Sequence, residues 1–86
     1  MEVEYKKKAQ EDRDYWKEQN NLKIQNRISE LIEDICKHPF TGTGKPEPLK
    51  YELTGLWSRR ITRKHRIIYE VFNGRISIIS MKGHYL

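Results

Sequence analysis

The sequence predicts an α+β domain in which two N-terminal helices pack on a twisted antiparallel sheet. Three observations carry that expectation. Leu22, Ile24, Ile28, Leu31, Ile32 and Ile35 recur at helical spacing. The last third of the chain, in "LWSRRIT" and "RIIYEVF", is rich in β-branched and aromatic residues. Asn73-Gly74 stands between "YEVF" and "RISIIS", and both positions of a tight hairpin turn need positive φ. Helices first and strands afterwards make an α+β rather than an alternating arrangement.

Taken in order, "VEY" alternates weakly and suits a short first strand. Lys6 to about Gln19 is rich in helix formers, with Ala9, Tyr15 and Trp16 as a rough apolar stripe. Asn20-Asn21 offers a break and a cap. The second helix should run from about Asn21 to Lys37 and end before Pro39. Cys36 lies beside Ile32 and Ile35 in that pattern and reads as a core or half-buried thiol. "PFTGTGKPEP", Pro39 to Pro48, holds three prolines and two glycines, so a stiff, stretched loop without regular structure is expected.

A two-residue turn at Asn73-Gly74 also sets a register. It pairs Phe72 with Arg75, Val71 with Ile76, Tyr69 with Ile78 and Ile67 with Ser80. Ile67, Tyr69, Val71, Ile76 and Ile78 then share the face that suits the helices. Arg66, Ile68, Glu70, Ser77, Ile79 and Met81 share the other, a half-apolar and partly open surface.

With 86 residues, the chain has room for one modest core, so residues 1–86 read as a single domain. The net charge of +5, from 17 Lys+Arg against 12 Asp+Glu, suits an anionic partner: nucleic acid, an acidic protein or a membrane surface. One cysteine permits no intrachain disulfide and fits a reducing compartment, so a cytoplasmic location is expected. "MEVEYKKKAQEDRD" lacks an apolar leader, and no stretch approaches a membrane span.

Several chemistries are poorly supported. His38, His65 and His84 are scattered, without metal-ligand spacing. "GTGKPE" lacks the spacing of a phosphate-binding loop, and no serine or cysteine elbow is present. Neither metal nor cofactor is expected. What remains is a basic and aromatic cluster, "LKYELTGLWSRRITRKHR". It holds Lys50, Arg59, Arg60, Arg63, Lys64, His65 and Arg66, with Tyr51 and Trp57 interleaved. Cations meet phosphates and rings stack on unpaired bases, which suits RNA or single strands. The plainer alternative is a solvated basic edge that guards strands against aggregation. Glu47, held between Pro46 and Pro48, and His84 near the terminus are the acid/base candidates. Their plainer readings are a surface charge and a tail.

"HPFTGTGKPEPLK", "GLWSRRIT", "HRIIYEV" and the "HY" near the end resemble the YoeB/Txe toxins of the RelE/ParE superfamily, over nearly the whole chain in length and order. The resemblance implies a RelE-like, microbial-ribonuclease-like fold. It implies a type II toxin that cuts mRNA in the ribosomal A site without metal, partnered by a YefM/Axe-type antitoxin, and a homodimer. By the same resemblance, Glu47 is the general base, Arg66 the phosphate-binding arginine, His84 the general acid and Tyr85 the adjacent aromatic. Lys50 and Arg59 match accompanying basic positions. Family members often end on the tyrosine, whereas this chain adds Leu86. The competing reading is a non-enzymatic toxin or binding module on the same scaffold, like the gyrase-poisoning ParE branch, which needs neither Glu47 nor His84.

One geometric difficulty accompanies this assignment. An unbroken hairpin register would place His84 on the helix-packed face and Arg66 on the opposite one, because alternate strand residues point to opposite sides. Gly83 tolerates a bulge or a positive φ. The last strand is therefore expected to end or bulge near Lys82–Gly83, swinging His84 towards Arg66 and Glu47.

Overall fold

The computed structural model describes residues 1–84. Strand β1 (Glu2–Tyr5) leads into helices α1 (Lys7–Glu18) and α2 (Leu22–Lys37). A long loop then reaches the two-residue strand β2 (Glu47–Pro48) and a 3-10 turn at Tyr51–Leu53. Strands β3 (Leu56–Arg60), β4 (Arg66–Phe72) and β5 (Arg75–Ser80) complete a five-stranded sheet of order β1-β5-β4-β3-β2.

The sheet is mixed rather than antiparallel throughout. β1 runs parallel to β5, with Val3 opposite Ile76 and Tyr5 opposite Ile78. A parallel neighbour needs a crossover connection, and the two helices and the hairpin strands supply it. The proline-rich loop is also not wholly irregular. Glu47 and Pro48 pair with Ser58 and Trp57 on the outer edge of β3, and an edge is where a sheet tolerates proline.

Asn20 takes a positive φ of 52° and breaks the helical path. Asn21 then caps α2, its side chain accepting the Ile24 N–H at 3.1 Å. This satisfies one of the donors that a helix start leaves free. Ile24, Ile28, Leu31 and Ile35 form the buried stripe of α2, Ile32 and Cys36 flank it, and Leu22 is left exposed. On α1, Ala9, Asp12 and Trp16 face inward. Both stripes pack on Ile61, Ile67, Tyr69, Ile76 and Ile78. Each such Leu or Ile side chain contributes about 1.5–3 kcal/mol when fully buried.

The hairpin register holds at Phe72–Arg75, Val71–Ile76 and Tyr69–Ile78, and then slips. Ser80 lies opposite Ile68, not Ile67, because β5 carries one extra residue, Ile79, at a bulge. A bulge reverses the alternation beyond it. Met81, expected on the open face, is therefore buried in the helix-packed core.

Candidate functional site

Register fixes which side chains meet on the sheet face away from the helices. Glu47, Ser58, Ile68 and Ser80 form one row across β2, β3, β4 and β5. Two residues further along β3, Arg60 stands opposite Arg66 on the same face. From strand spacing and rise, the Cα atoms of Glu47 and Arg66 are about 12 Å apart. Two long side chains reaching inward can close on a group between them.

The patch is short of partners. Ser58 Oγ, Arg60 Nε and Arg66 Nε are buried and make no hydrogen bond among the described residues. Buried polar atoms are normally paired. Opposed like charges on neighbouring strands also repel. Unpaired donors and two opposed cations together favour an anion at this point of the face. Leu49 and Ile68 are buried but lie outside the helix-packed cluster, so the open face has an apolar floor of its own.

Glu47 is exposed and, with Lys50 and Tyr51, lines a surface cavity of about 320 Å³. Tyr51 is 86% exposed and has a φ of 58°, a conformation uncommon for a bulky residue. Arg63 and Lys64 are exposed on the β3–β4 turn, where Thr62 Oγ1 accepts the Lys64 and His65 N–H groups at 3.2 and 3.1 Å. Basic groups thus occupy the turn, the open face and the β2 edge.

Arg59 is a correction to the sequence reading. It belongs to the scaffold rather than to an RNA-facing surface, because it is fully buried on the helix-packed side. Its Nε donates to Tyr69 Oη at 3.2 Å. Nη1 donates to Asp34 Oδ2 at 2.5 Å and to Thr43 O at 3.0 Å. Nη2 donates to His38 O and, at 2.8 Å, to Thr41 O. An arginine has five N–H donors, and all five are used. The glycine-rich loop is wound around this guanidinium. A Cβ at Gly42, where φ is +115°, would stand 2.1 Å from Asp34 Oδ2. The signal existed in "LWSRRIT": strict alternation puts Arg59 with Trp57 and Ile61, and Arg60 on the other side.

The chain beyond β5 does not continue as a regular strand. β5 ends at Ser80, and Gly83 takes a φ of +79°. The expected departure from regular pairing occurs, although the bulge falls at Ile79, ahead of Lys82–Gly83. Gly83 O accepts the Arg66 N–H at 3.0 Å. His84 therefore begins one peptide from the backbone of Arg66, and it is exposed rather than packed against the helices. Tyr85, the expected aromatic, lies outside the described residues, as does Leu86.

Three further residues hold this tail, and Asp12 and Trp16 went unread in the sequence as its anchors. Asp12, 4% exposed, accepts the Met81 N–H at 2.8 Å and is paired with Lys8 at 2.6 Å. Trp16 Nε1 donates to Met81 O at 2.9 Å. His65 Nδ1 accepts the Gly83 N–H at 2.9 Å, with the Trp16 ring edge-on at 4.9 Å. Burial holds the His65 imidazole below its ordinary pKa, helped by the charges of Lys82, Lys64 and His84. Asp12 opposes that shift. Spacing alone puts Asp12 on the Ala9–Trp16 stripe, which marks it as inward-facing.

An α+β domain with an exposed carboxylate and an opposed arginine pair on one sheet face, and a histidine-bearing tail bonded to the Arg66 amide, defines a small basic protein with a face suited to an anion. Comparison with known proteins makes the family definite: the model for YoeB-like toxins of bacterial type II toxin-antitoxin systems matches residues 5–85, and the chain belongs to that family. It is 42% identical to Toxin YoeB of Escherichia coli K12 over 85 residues, which cover 99% of this chain and 100% of that one. A YoeB/ParE toxin from Agrobacterium tumefaciens superposes with a TM-score of 0.92 at 36% identity, covering 99% and 100% of the two chains. Two Staphylococcus aureus structures, a YoeB-YefM complex and a YoeB dimer, match with TM-scores of 0.88 and 0.89. Their identities are 42% and 41%, and each match covers 99% of this chain and 98% of that chain.

Proposed function

We propose that the chain is a ribosome-dependent mRNA endoribonuclease that cuts by attack of a 2′-hydroxyl on the adjacent phosphate. The observation that carries this reading is the shared face of Glu47, Arg60 and Arg66, with the His84 peptide bonded alongside Arg66. Glu47 takes the proton of the 2′-hydroxyl. The new O–P bond closes a 2′,3′-cyclic phosphate, and the P–O5′ bond breaks. His84 gives its proton to the leaving 5′-oxygen, while Arg66 and Arg60 stabilise charge on the phosphoryl oxygens. No step requires a metal. Tyr85 stacks on a base, and Lys50, Arg63 and Lys64 steer the RNA.

The ribosomal A site supplies the aligned substrate, since in-line geometry is worth several kcal/mol of barrier. By analogy with the Staphylococcus aureus structures, the partners are a YefM-type antitoxin and a second copy of the chain. The work is done in the cytoplasm. The deciding experiment is mRNA cleavage on translating ribosomes by Glu47→Ala and His84→Ala, each first checked for a parental fold. Each should lose about 10²–10⁴-fold. Parental rates in both would overturn the mechanism, and toxicity without mRNA cleavage would favour a non-enzymatic toxin.

A further inference from the structure

Met81 and Gly83 are held at three of their four backbone groups by side chains from elsewhere. Asp12 accepts one N–H, Trp16 donates to one carbonyl, and His65 accepts the other N–H. The fourth group, Gly83 O, bonds the Arg66 amide. The last of these side-chain bonds before His84 is the one to His65, a ring with no place in the proposed proton transfers. His65 directly precedes Arg66 where the chain enters β4, so one dipeptide grips both sides of Gly83.

We propose that His65 is a positioning residue: its unprotonated Nδ1 anchors the Gly83 amide and thereby aims His84 across the candidate site. This deepens the endoribonuclease reading and rests on it for the role of His84. The hydrogen bond requires a neutral imidazole carrying its proton on Nε2, because an Nδ1–H would face the amide N–H with two donors and no acceptor. The groups around the ring are Asp12 and Trp16 from α1, Lys64 on the β3–β4 turn, and Lys82 and His84 on the tail. Three of the four charged or titratable neighbours are basic, so the surroundings support the neutral form. Protonation of the ring would break the anchor and free the tail.

Two substitutions separate anchoring from packing. His65→Phe keeps a ring against Trp16 but removes the acceptor. His65→Asn keeps an acceptor near the Nδ1 position and cannot be protonated in this range. In the free protein, His65→Phe should speed Gly83 amide exchange at least tenfold and lower the ¹⁵N heteronuclear NOE of His84, while His65→Asn stays near parental values. On ribosomes, His65→Phe should lose tenfold or more in kcat with KM within about twofold, and His65→Asn should recover most of it. The parental rate should also fall more steeply than that of His65→Asn below the ordinary imidazole pKa of about 6.5. Parental Gly83 exchange in a folded His65→Phe overturns the anchor. Unchanged kcat in His65→Phe, with the amide deprotected, overturns its role in aiming His84. If the parent cleaves no mRNA, the endoribonuclease reading fails, and the exchange measurements still decide the anchor.

Discussion

Arg60 and Arg66 are direct partners across β3 and β4, two guanidinium groups facing the same way with no ion pair among the described residues. Folding has placed them where they repel. Opposed like charges on a sheet cost about 0.2–1 kcal/mol. Removing either should leave the free protein as stable as the parent or slightly more so.

The same substitutions should be costly for activity. Arg66→Ala is expected to lose on the order of 10²–10³-fold in cleavage, the value of one donor to a developing oxyanion. Arg60→Ala should lose a comparable amount. Sulfate should raise the melting temperature of the parent more than that of Arg66→Ala, the general effect of the salt being common to both. A variant that both destabilises the fold and binds sulfate as the parent does would remove the anion from this face.

The adjacent arginine behaves oppositely. Arg59→Ala should lose about 3 kcal/mol or more of stability, since it empties a buried volume and strands the acceptors gathered around the guanidinium. Arg59→Lys offers fewer donors in a different geometry and should recover only part of that. Urea midpoints check both.

The Asp34 partner of Arg59 makes this network sensitive to acid. Its hydrogen bond from Arg59, and then that from the Thr43 amide, hold the carboxyl below its ordinary value of 3.8. The folded state therefore binds fewer protons than the unfolded chain in the window between the lowered value and 3.8. The stabilisation is fully present above that window and is lost as pH falls through the folded pKa. Stability measured between about pH 2 and 6 should show this loss in the parent and a flatter profile in Asp34→Asn.

Tyr69 closes the network from the sheet. Its Oη accepts from Arg59 Nε and donates to Pro39 O at 2.6 Å, and burial pushes its pKa above 10. Tyr69→Phe should cost about 1–3 kcal/mol by leaving both groups unpaired. The folded state keeps a proton that the unfolded chain releases above pH 10, so this contribution falls as pH rises past 10. Ultraviolet titration should find one tyrosine ionising only as the protein unfolds.

Under the proposed function, ribosome binding should weaken with salt, with a slope that falls by about 0.7–0.9 for each phosphate no longer neutralised. Lys50→Ala, Arg60→Ala, Arg63→Ala and Lys64→Ala should each flatten it. Lys6→Ala and Lys7→Ala, beside and within α1, should not. Equal effects from all six would misplace the RNA surface.

Local chemistry was legible where it acts over a few residues. Asn73-Gly74 set three correct hairpin pairs, Asn21 capped α2, and Pro39 followed its end. Pairings that close over long distances were not. Nothing around Ile79 advertises an extra residue, because a bulge is decided by what both strands must reach, and Met81 was misplaced by it. The parallel pairing of β1 depends on a crossover that local patterning does not encode. Arg59 and Arg60 look alike as composition and differ by one step of alternation, which separates a scaffold bond from a site on the opposite face.

β1 has β5 for its neighbour, and α1 reaches Met81 through bonds spanning 65 and 69 residues. Bonds of such separation close large loops, whose entropic cost comes before any of them stabilises the chain. During synthesis, the first strand and both helices would emerge with no completed sheet to cover. The tail that carries His84 is gripped by residues made long before it. The site is therefore complete only once the C-terminal residues have been made, so an N-terminal fragment should lack it altogether rather than be a weaker version of the whole.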